Sequence, residues 1–248
     1  MNRATRFAAP VVTAFAALVM MVAISSAVPL VNETFTYPNG NLVGNDGWTA
    51  HSAPGVVPVQ VASGEAILLQ GSGSREDVNV PFTGAQPGTA KTYVCFDLIV
   101  PPSVTSGSDY FAHFRNSTTF IFPARIYVKT TASGWTVGLS ASSGGATQTW
   151  ASDLTYGQRY KIVASYDAAI GGVELWVDPV SEASTKISEV VATVAGDAID
   201  TYALRQGSGV GCTEKVDNLR VGHSFAEACD LPVPANPATW GSIKASYR

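Results

Sequence analysis

The chain predicts an all-β protein built as an antiparallel two-sheet sandwich, and three observations carry that expectation. The first is the stretch VDNLRVGHSFAE at 216–227, in which Val216, Leu219 and Val221 surround polar Asp217, Asn218 and Arg220 before Gly222 ends the run. It reads as a closing strand. The second is ETFTYPNGNLVGNDGWTAHS at 33–52, a short β-rich run followed by a Pro-Asn-Gly turn, a Gly-Asn-Asp-Gly turn and a Trp48 that reads as buried. It reads as an opening strand, and strands that open and close a chain often pair and seal one domain. The third is the dominance of two-residue alternation between them, with no convincing amphipathic helix.

Taken in order, Tyr93–Val100 is a long strand stopped by Pro101-Pro102, and Ile121–Lys129 is the next. Strands follow around Trp135–Leu139, Tyr160–Tyr166 and Val173–Val177. Turn signals separate them: Ser106-Gly107-Ser108-Asp109, Ser133-Gly134, Ser143-Gly144-Gly145, Tyr156-Gly157 and Gly171-Gly172. Tyr160, Ile162, Ala164 and Tyr166 alternate with Arg159, Lys161, Val163 and Ser165, which gives one core face and one more exposed face. Strands at this spacing suit about a dozen strands in two sheets.

The first 27 residues read as an export signal. Arg3 and Arg6 precede an apolar run over Phe7–Ile24, broken only by Pro10 and Thr13, and Ser25-Ser26-Ala27 supplies small residues for cleavage after Ala27. A short membrane-spanning helix is the alternative for the same run. The small residues and the lack of a basic stop-transfer cluster favour cleavage. Removal would take two of the 15 basic residues and none of the 19 acidic ones, moving the formal charge from −4 to −6. A mildly acidic chain has no electrostatic footprint for nucleic acid and no basic patch for an anionic membrane. With 46% hydrophobic and 14% charged residues, the remainder has enough apolar content for a real core. The expected domain spans 28–230, and Leu231–Pro237 is a Pro-rich linker into a short tail ending at residue 248.

All three cysteines lie after residue 27. Cys212 and Cys229 flank the closing strand and its turn and are placed to form a disulfide across it, leaving Cys95 buried within a strand as a small hydrophobe. Zinc is disfavoured, because there is no CxxC and His51, His113 and His223 are scattered.

The run YGQRYKIVASYDAAIGGVELWVDP at 156–179 resembles the central hairpin of laminin-G-like, or concanavalin A-like, jelly-roll domains: an alternating strand ending in Tyr-Asp, a Gly turn, and a strand ending in aromatic-Val-Asp. The opening ETFTYPNGNLVGNDGW, the middle YFAHF at 110–114 and the closing DNLRVGHSFAE are similar to poorly characterised secreted bacterial proteins of that fold. The resemblance spans roughly 31–228 and implies a jelly-roll sandwich. It says little about function, because the superfamily holds lectins, glycoside hydrolases, lyases, adhesion modules and structural domains. It also implies a structural calcium where the first and last strands meet, with Glu33, Asp217 and Asn218 as oxygen ligands. The competing role for Asp217 and Asn218 is to satisfy backbone donors at a strand edge.

The tail Thr239–Arg248 places Trp240, Ile243, Lys244 and Tyr247 on one stripe if Thr239 caps a short helix. It is either a segment that packs on the domain or frays, or a sorting or docking peptide of the kind secreted bacterial proteins carry.

Catalytic patterns are sparse. Glycoside hydrolases of this fold set two carboxylates close together on one strand. Glu174 and Asp178 in VELWVDP share a face but lack the tight Glu-x-Asp spacing. His113 with Arg115, in YFAHFR, is the only candidate for a lyase constellation. No GxSxG elbow, phosphate loop or dinucleotide fingerprint occurs. For glycan binding, Tyr110, Trp135 and Trp150 lie near turns and offer flat faces to sugar rings, unless they are core fillers. The expectation is a secreted, non-catalytic recognition or adhesion module, with carbohydrate or a surface protein as partner. A structural surface or matrix protein is the close alternative, and an extracellular polysaccharide hydrolase or lyase the more distant one.

Overall fold

A computed structural model describes residues 28–102, 105–142 and 144–229. The expected export segment at 1–27 and the linker and aromatic tail at 231–248 lie outside the described residues.

The alternating runs become strands. In chain order they are β1 (Val31–Glu33), β2 (Gly40–Asn41), β3 (Thr49–Ser52), β4 (Gln60–Ala62), β5 (Glu65–Leu69), β6 (Asp77–Gln86), β7 (Lys91–Ile99) and β8 (Ser108–Arg115). The second half supplies β9 (Arg125–Thr130), β10 (Trp135–Ser140), β11 (Gln148–Thr149), β12 (Arg159–Asp167), β13 (Gly172–Val177), β14 (Ile187–Val190), β15 (Ile199–Leu204) and β16 (Thr213–Gly222). Among the described residues, one short 3₁₀ turn and the five-residue helix α1 (Phe225–Cys229) are the helical elements. None is long and apolar enough to cross a membrane.

Two antiparallel sheets result. One has nine strands, in the order β14-β13-β12-β7-β16-β5-β4-β2 with β1 also on β16; the other runs β11-β10-β9-β8-β15-β6-β3. The opening and closing strands pair as expected, with Val31 opposite Val221 and Glu33 opposite Leu219. The molecule is a two-sheet jelly-roll sandwich. Its core lies between the sheets, where Phe96 of β7 meets the edge of Phe111 on β8 at 6.0 Å and Phe114 meets Tyr202 of β15 at 5.2 Å. Tyr160, Ile162, Ala164 and Tyr166 all face this core.

Two departures from regular pleating matter. In β16 the ladder to β7 shifts between Asp217 and Arg220, where Asn218 adopts φ 50°. The extra residue lets Val216 and Leu219, three apart, both point inward. The strand expected over 121–129 begins only at Arg125, because 116–124 closes into a loop. Asn116 caps it by accepting from the amides of Thr118 and Thr119, its own amide reaches the Ile121 carbonyl, and Phe120 and Ala124 take positive φ.

Helix α1 covers part of the outer face of the nine-stranded sheet. Ser224 accepts from the Glu227 amide while the Glu227 carboxyl accepts from the His223 amide, a reciprocal cap that starts the turn. Phe225, Ala228 and Cys229 then pack on Tyr93, Cys95, Val163 and Trp176.

Candidate functional site

The outer face of the seven-stranded sheet gathers aromatic and basic side chains. On β8, Ala112 and Phe114 point into the core, so His113 and Arg115 point out. By strict alternation Tyr110 would face the other way. A bulge between Tyr110 and Ala112, opposite β9, restores it to the outer face, with Phe111 taking the extra inward position. Across the ladder, His113 stands beside Ala203, whose small side chain leaves room for the ring.

The rings and guanidinium groups then assemble around Tyr110. Its ring lies 5.7 Å from Tyr127 and 5.6 Å from His113. Arg205 and Arg125 sit over it at 4.1 and 4.8 Å from the centroid. Arg205 is fixed by Asp109 at 2.8 Å, and Asp109 also accepts from the amides of Ser208 and Gly209. The 116–124 loop folds back so that Phe122 packs at a tilt against His113, 4.7 Å between ring centres, while Phe120 at its tip is two-thirds exposed. Arg115 donates to Asn79 at 3.3 Å. Among the described residues, neither Arg115 nor Arg125 has a carboxylate within ion-pair distance.

Both histidines here are neutral at ordinary pH. Burial lowers His113 to about 3, helped by His51 and the nearby arginines and opposed by its bond to the Phe114 carbonyl. Burial lowers His51 to about 4, with Arg115 adding to it. The His51 Nε2 atom is buried without a hydrogen-bond partner, and its ring meets His113 edge-on at 6.2 Å.

The residues expected from the sequence separate under this geometry. Tyr110 is half-buried at the centre of the cluster. Trp135 is not a stacking surface, and that expectation is corrected: it is fully buried, packed edge-on against Tyr160 at 5.8 Å, because a bridge to Leu154 turns its side chain inward. Trp150 is half-buried against the core beside β10 and lies outside the cluster. The sequence reading missed Tyr127, Arg125, Arg205 and Phe122.

The calcium ligand set is also corrected. Glu33 faces inward, and its carboxyl oxygens accept from the Phe35 amide at 2.5 Å, the Tyr37 hydroxyl at 2.7 Å and the Trp48 indole at 2.8 Å. Asp217 lies on the opposite face, paired with Arg159 at 3.0 Å, and Asn218 donates to Asp97. The three do not converge, and the Glu33 and Asp217 carboxylates are already engaged by protein donors, so this set does not fit a calcium ion. Among the described residues no other group of three acidic, His or Cys side chains is placed to hold a metal.

The disulfide pairing is corrected as well. Cys212 belongs to the core between the sheets, where its thiol donates to Glu214 at 3.0 Å. Cys229 lies outside the nine-stranded sheet, beside Cys95. A sheet separates the two residues the sequence reading paired.

Of the catalytic candidates, Glu174 is engaged by Lys91 at 2.9 Å and by Lys186. Burial would raise its carboxyl, but those hydrogen bonds outweigh it and hold the group below its ordinary range. That is the reverse of what a general acid requires. Asp178 sits in the following turn at φ 45° and accepts the Lys161 amide at 2.7 Å. His113 does lie beside Tyr110 and Arg115, but its ring is 1% exposed.

No family model and no curated protein sequence matches the chain. Solved structures do. The CBM2 module of the evolved Dit of Lactobacillus casei BL23 phage J-1 superimposes with a TM-score of 0.53 at 10% identity, over 78% of this chain and 94% of that one. Peanut lectin superimposes with a TM-score of 0.50 at 14% identity, over 74% and 95%. The fold is concanavalin A-like. An alginate lyase from Pseudomonas aeruginosa shares this fold at a TM-score of 0.50 and 10% identity, over 72% and 99%. At such identities the likeness speaks for the fold alone.

Proposed function

We propose that this protein is an exported recognition module that binds carbohydrate on the outer face of its seven-stranded sheet. The observation that carries this reading is the gathering of Arg125 and Arg205 on the half-buried Tyr110 ring with Tyr127 beside it. A sugar ring needs aromatic surface and a few fixed polar donors around it; half-buried Tyr110 and Phe122 supply the first, and Arg125 and Arg205 the second. Half-buried Arg125, lacking a carboxylate partner among the described residues, supplies a charged donor for hydroxyl or carboxylate groups. That a lectin and a CBM2 module are built on the same sandwich supports a binding role. Export rests on Arg3, Arg6 and the apolar run ending at Ala27. Adhesion to a glycan-bearing surface is the form of function this suits, with a structural matrix role as the alternative.

A polysaccharide lyase is the second reading, favoured by His113, Tyr110 and Arg115 sharing one face. The burial of His113 beneath Phe122 speaks against it, since a general base must reach the substrate proton.

A glycan array probed with the exported protein tests both. Binding that Tyr110→Ala or Arg125→Ala reduces at least tenfold, while Trp150→Ala leaves it intact, supports the reading. Retention of full binding by both site variants overturns it. Accumulation of unsaturated sugar ends from an acidic polysaccharide would instead establish the lyase.

A further inference from the structure

The outer face of the nine-stranded sheet brings together two cysteines that lie far apart in the chain. Cys95 is in the middle of β7, between inward-facing Val94 and Phe96, so its thiol projects outward. Cys229 ends α1, which the Ser224–Glu227 cap starts and Phe225 anchors against Tyr93 and Trp176 at 6.2 and 5.3 Å. The two residues are 3% and 4% exposed, pack in one apolar cluster on this face and line the same cavity. Cys212 is on the far side of the sheet with its thiol on Glu214.

We propose that Cys95 and Cys229 are an oxidation site that closes to a disulfide and fastens α1 to the central strand β7. The co-reactant is a small-molecule disulfide such as glutathione disulfide. One protein thiolate attacks a sulfur of that molecule, whose S–S bond breaks and releases one glutathione thiolate, which takes up a proton. The second protein thiol gives up its proton and attacks the mixed disulfide, forming the Cys95–Cys229 bond and expelling the second glutathione thiol. Two protein thiols are oxidised, and one glutathione disulfide is reduced to two thiols.

Access and reactivity set when this happens. A cavity of about 270 Å³ opens beside the pair, lined by both cysteines together with Asp97, Lys161, Asn218 and Arg220. The hydrogen bond to Cys229 and burial push the Cys95 thiol far up, against a small opposing pull from Lys161. The thiolate is therefore scarce in the folded protein at neutral pH. Oxidation is therefore fast while the chain folds and α1 has yet to dock, when both thiols are open to the co-reactant.

The test is peptide mapping of the full chain after refolding with glutathione disulfide at mildly alkaline pH, with free thiols alkylated under denaturing conditions. The expected product is lighter than the reduced chain by two hydrogen atoms, contains one peptide linking Cys95 to Cys229, and is alkylated at Cys212. Cys212→Ser should form the same link. A link involving Cys212, or three alkylatable thiols after oxidation, would overturn the proposal. Neither result depends on whether the protein binds carbohydrate.

Discussion

The indole N–H of Trp48 donates to the Glu33 carboxyl at 2.8 Å, so the opening strand and the second turn of the chain share one buried polar anchor. Glu33 stands opposite Leu219 on the closing strand, and its oxygens also hold the Phe35 amide and the Tyr37 hydroxyl. Phe35 takes φ 49° to bring that amide round.

Glu33→Ala should therefore destabilise the protein by about 3–5 kcal/mol, because it leaves several buried donors unpaired at once, each costing roughly 1–3 kcal/mol with some relief from water entry. Glu33→Gln keeps the acceptor oxygen and should cost less than half as much. Urea unfolding of the two variants checks the ranking, and equal losses would show that the carboxyl is not an anchor.

Stability should peak near pH 6.5. His51 and His113 have folded values of about 4 and about 3 against an ordinary 6.5, so below about pH 6.5 the unfolded chain takes up protons the folded one refuses. Their contribution is lost as pH falls through that window. Glu214 behaves oppositely: burial raises it from 4.5 to about 8, so the folded state holds an extra proton and its contribution is lost as pH rises toward 8. One uncompensated proton corresponds to about 1.4 kcal/mol per pH unit. Melting curves across pH 4–9 check the shape, and Glu214→Gln should flatten the slope above pH 6.5 while steepening it between about 4.5 and 6.5.

Trp135→Ala should cost about 3–5 kcal/mol, the usual penalty for emptying a large core site. Trp150→Ala, at a half-buried site on the core edge, should cost about 1–2 kcal/mol. Chemical denaturation of each variant measures the difference, and a reversed order would mean the two indoles have exchanged roles.

Gly171→Ala should destabilise the β12–β13 hairpin by about 2 kcal/mol or more. Gly171 has φ 65°, and a Cβ there would meet the Val191 carbonyl oxygen at 2.2 Å, so strain and collision add. Thermal unfolding of this variant beside Gly157→Ala, where positive φ comes with open space, separates the two contributions.

Much of this architecture was legible in the chain. The pairing of 31–36 with 214–222 follows from where the alternating runs fall. The inward set Tyr160, Ile162, Ala164 and Tyr166 needed only the period of a strand. The site was far less legible, because bulges change the phase. Nothing local in YFAHFR indicates that Phe111 absorbs an extra position and brings Tyr110 to the side of His113. Arg125, Tyr127 and Arg205 join them only through cross-strand register. Glu33 resembled a calcium ligand because its true partners are protein donors, one of them fifteen residues away. Cysteine pairing depended on a five-residue capped helix, too short to stand out from periodicity, that carries Cys229 to the outside of the sheet.

The last strand of the described fold is also a central one: β16 lies between β7 and β5 and holds β1 along the same edge as β5. A chain emerging from a ribosome cannot complete the larger sheet until residues 213–222 have been made, because until then β5 and β7 have no strand to join them. Folding must wait for nearly the whole domain, and early intermediates expose unpaired edges that invite association with other chains.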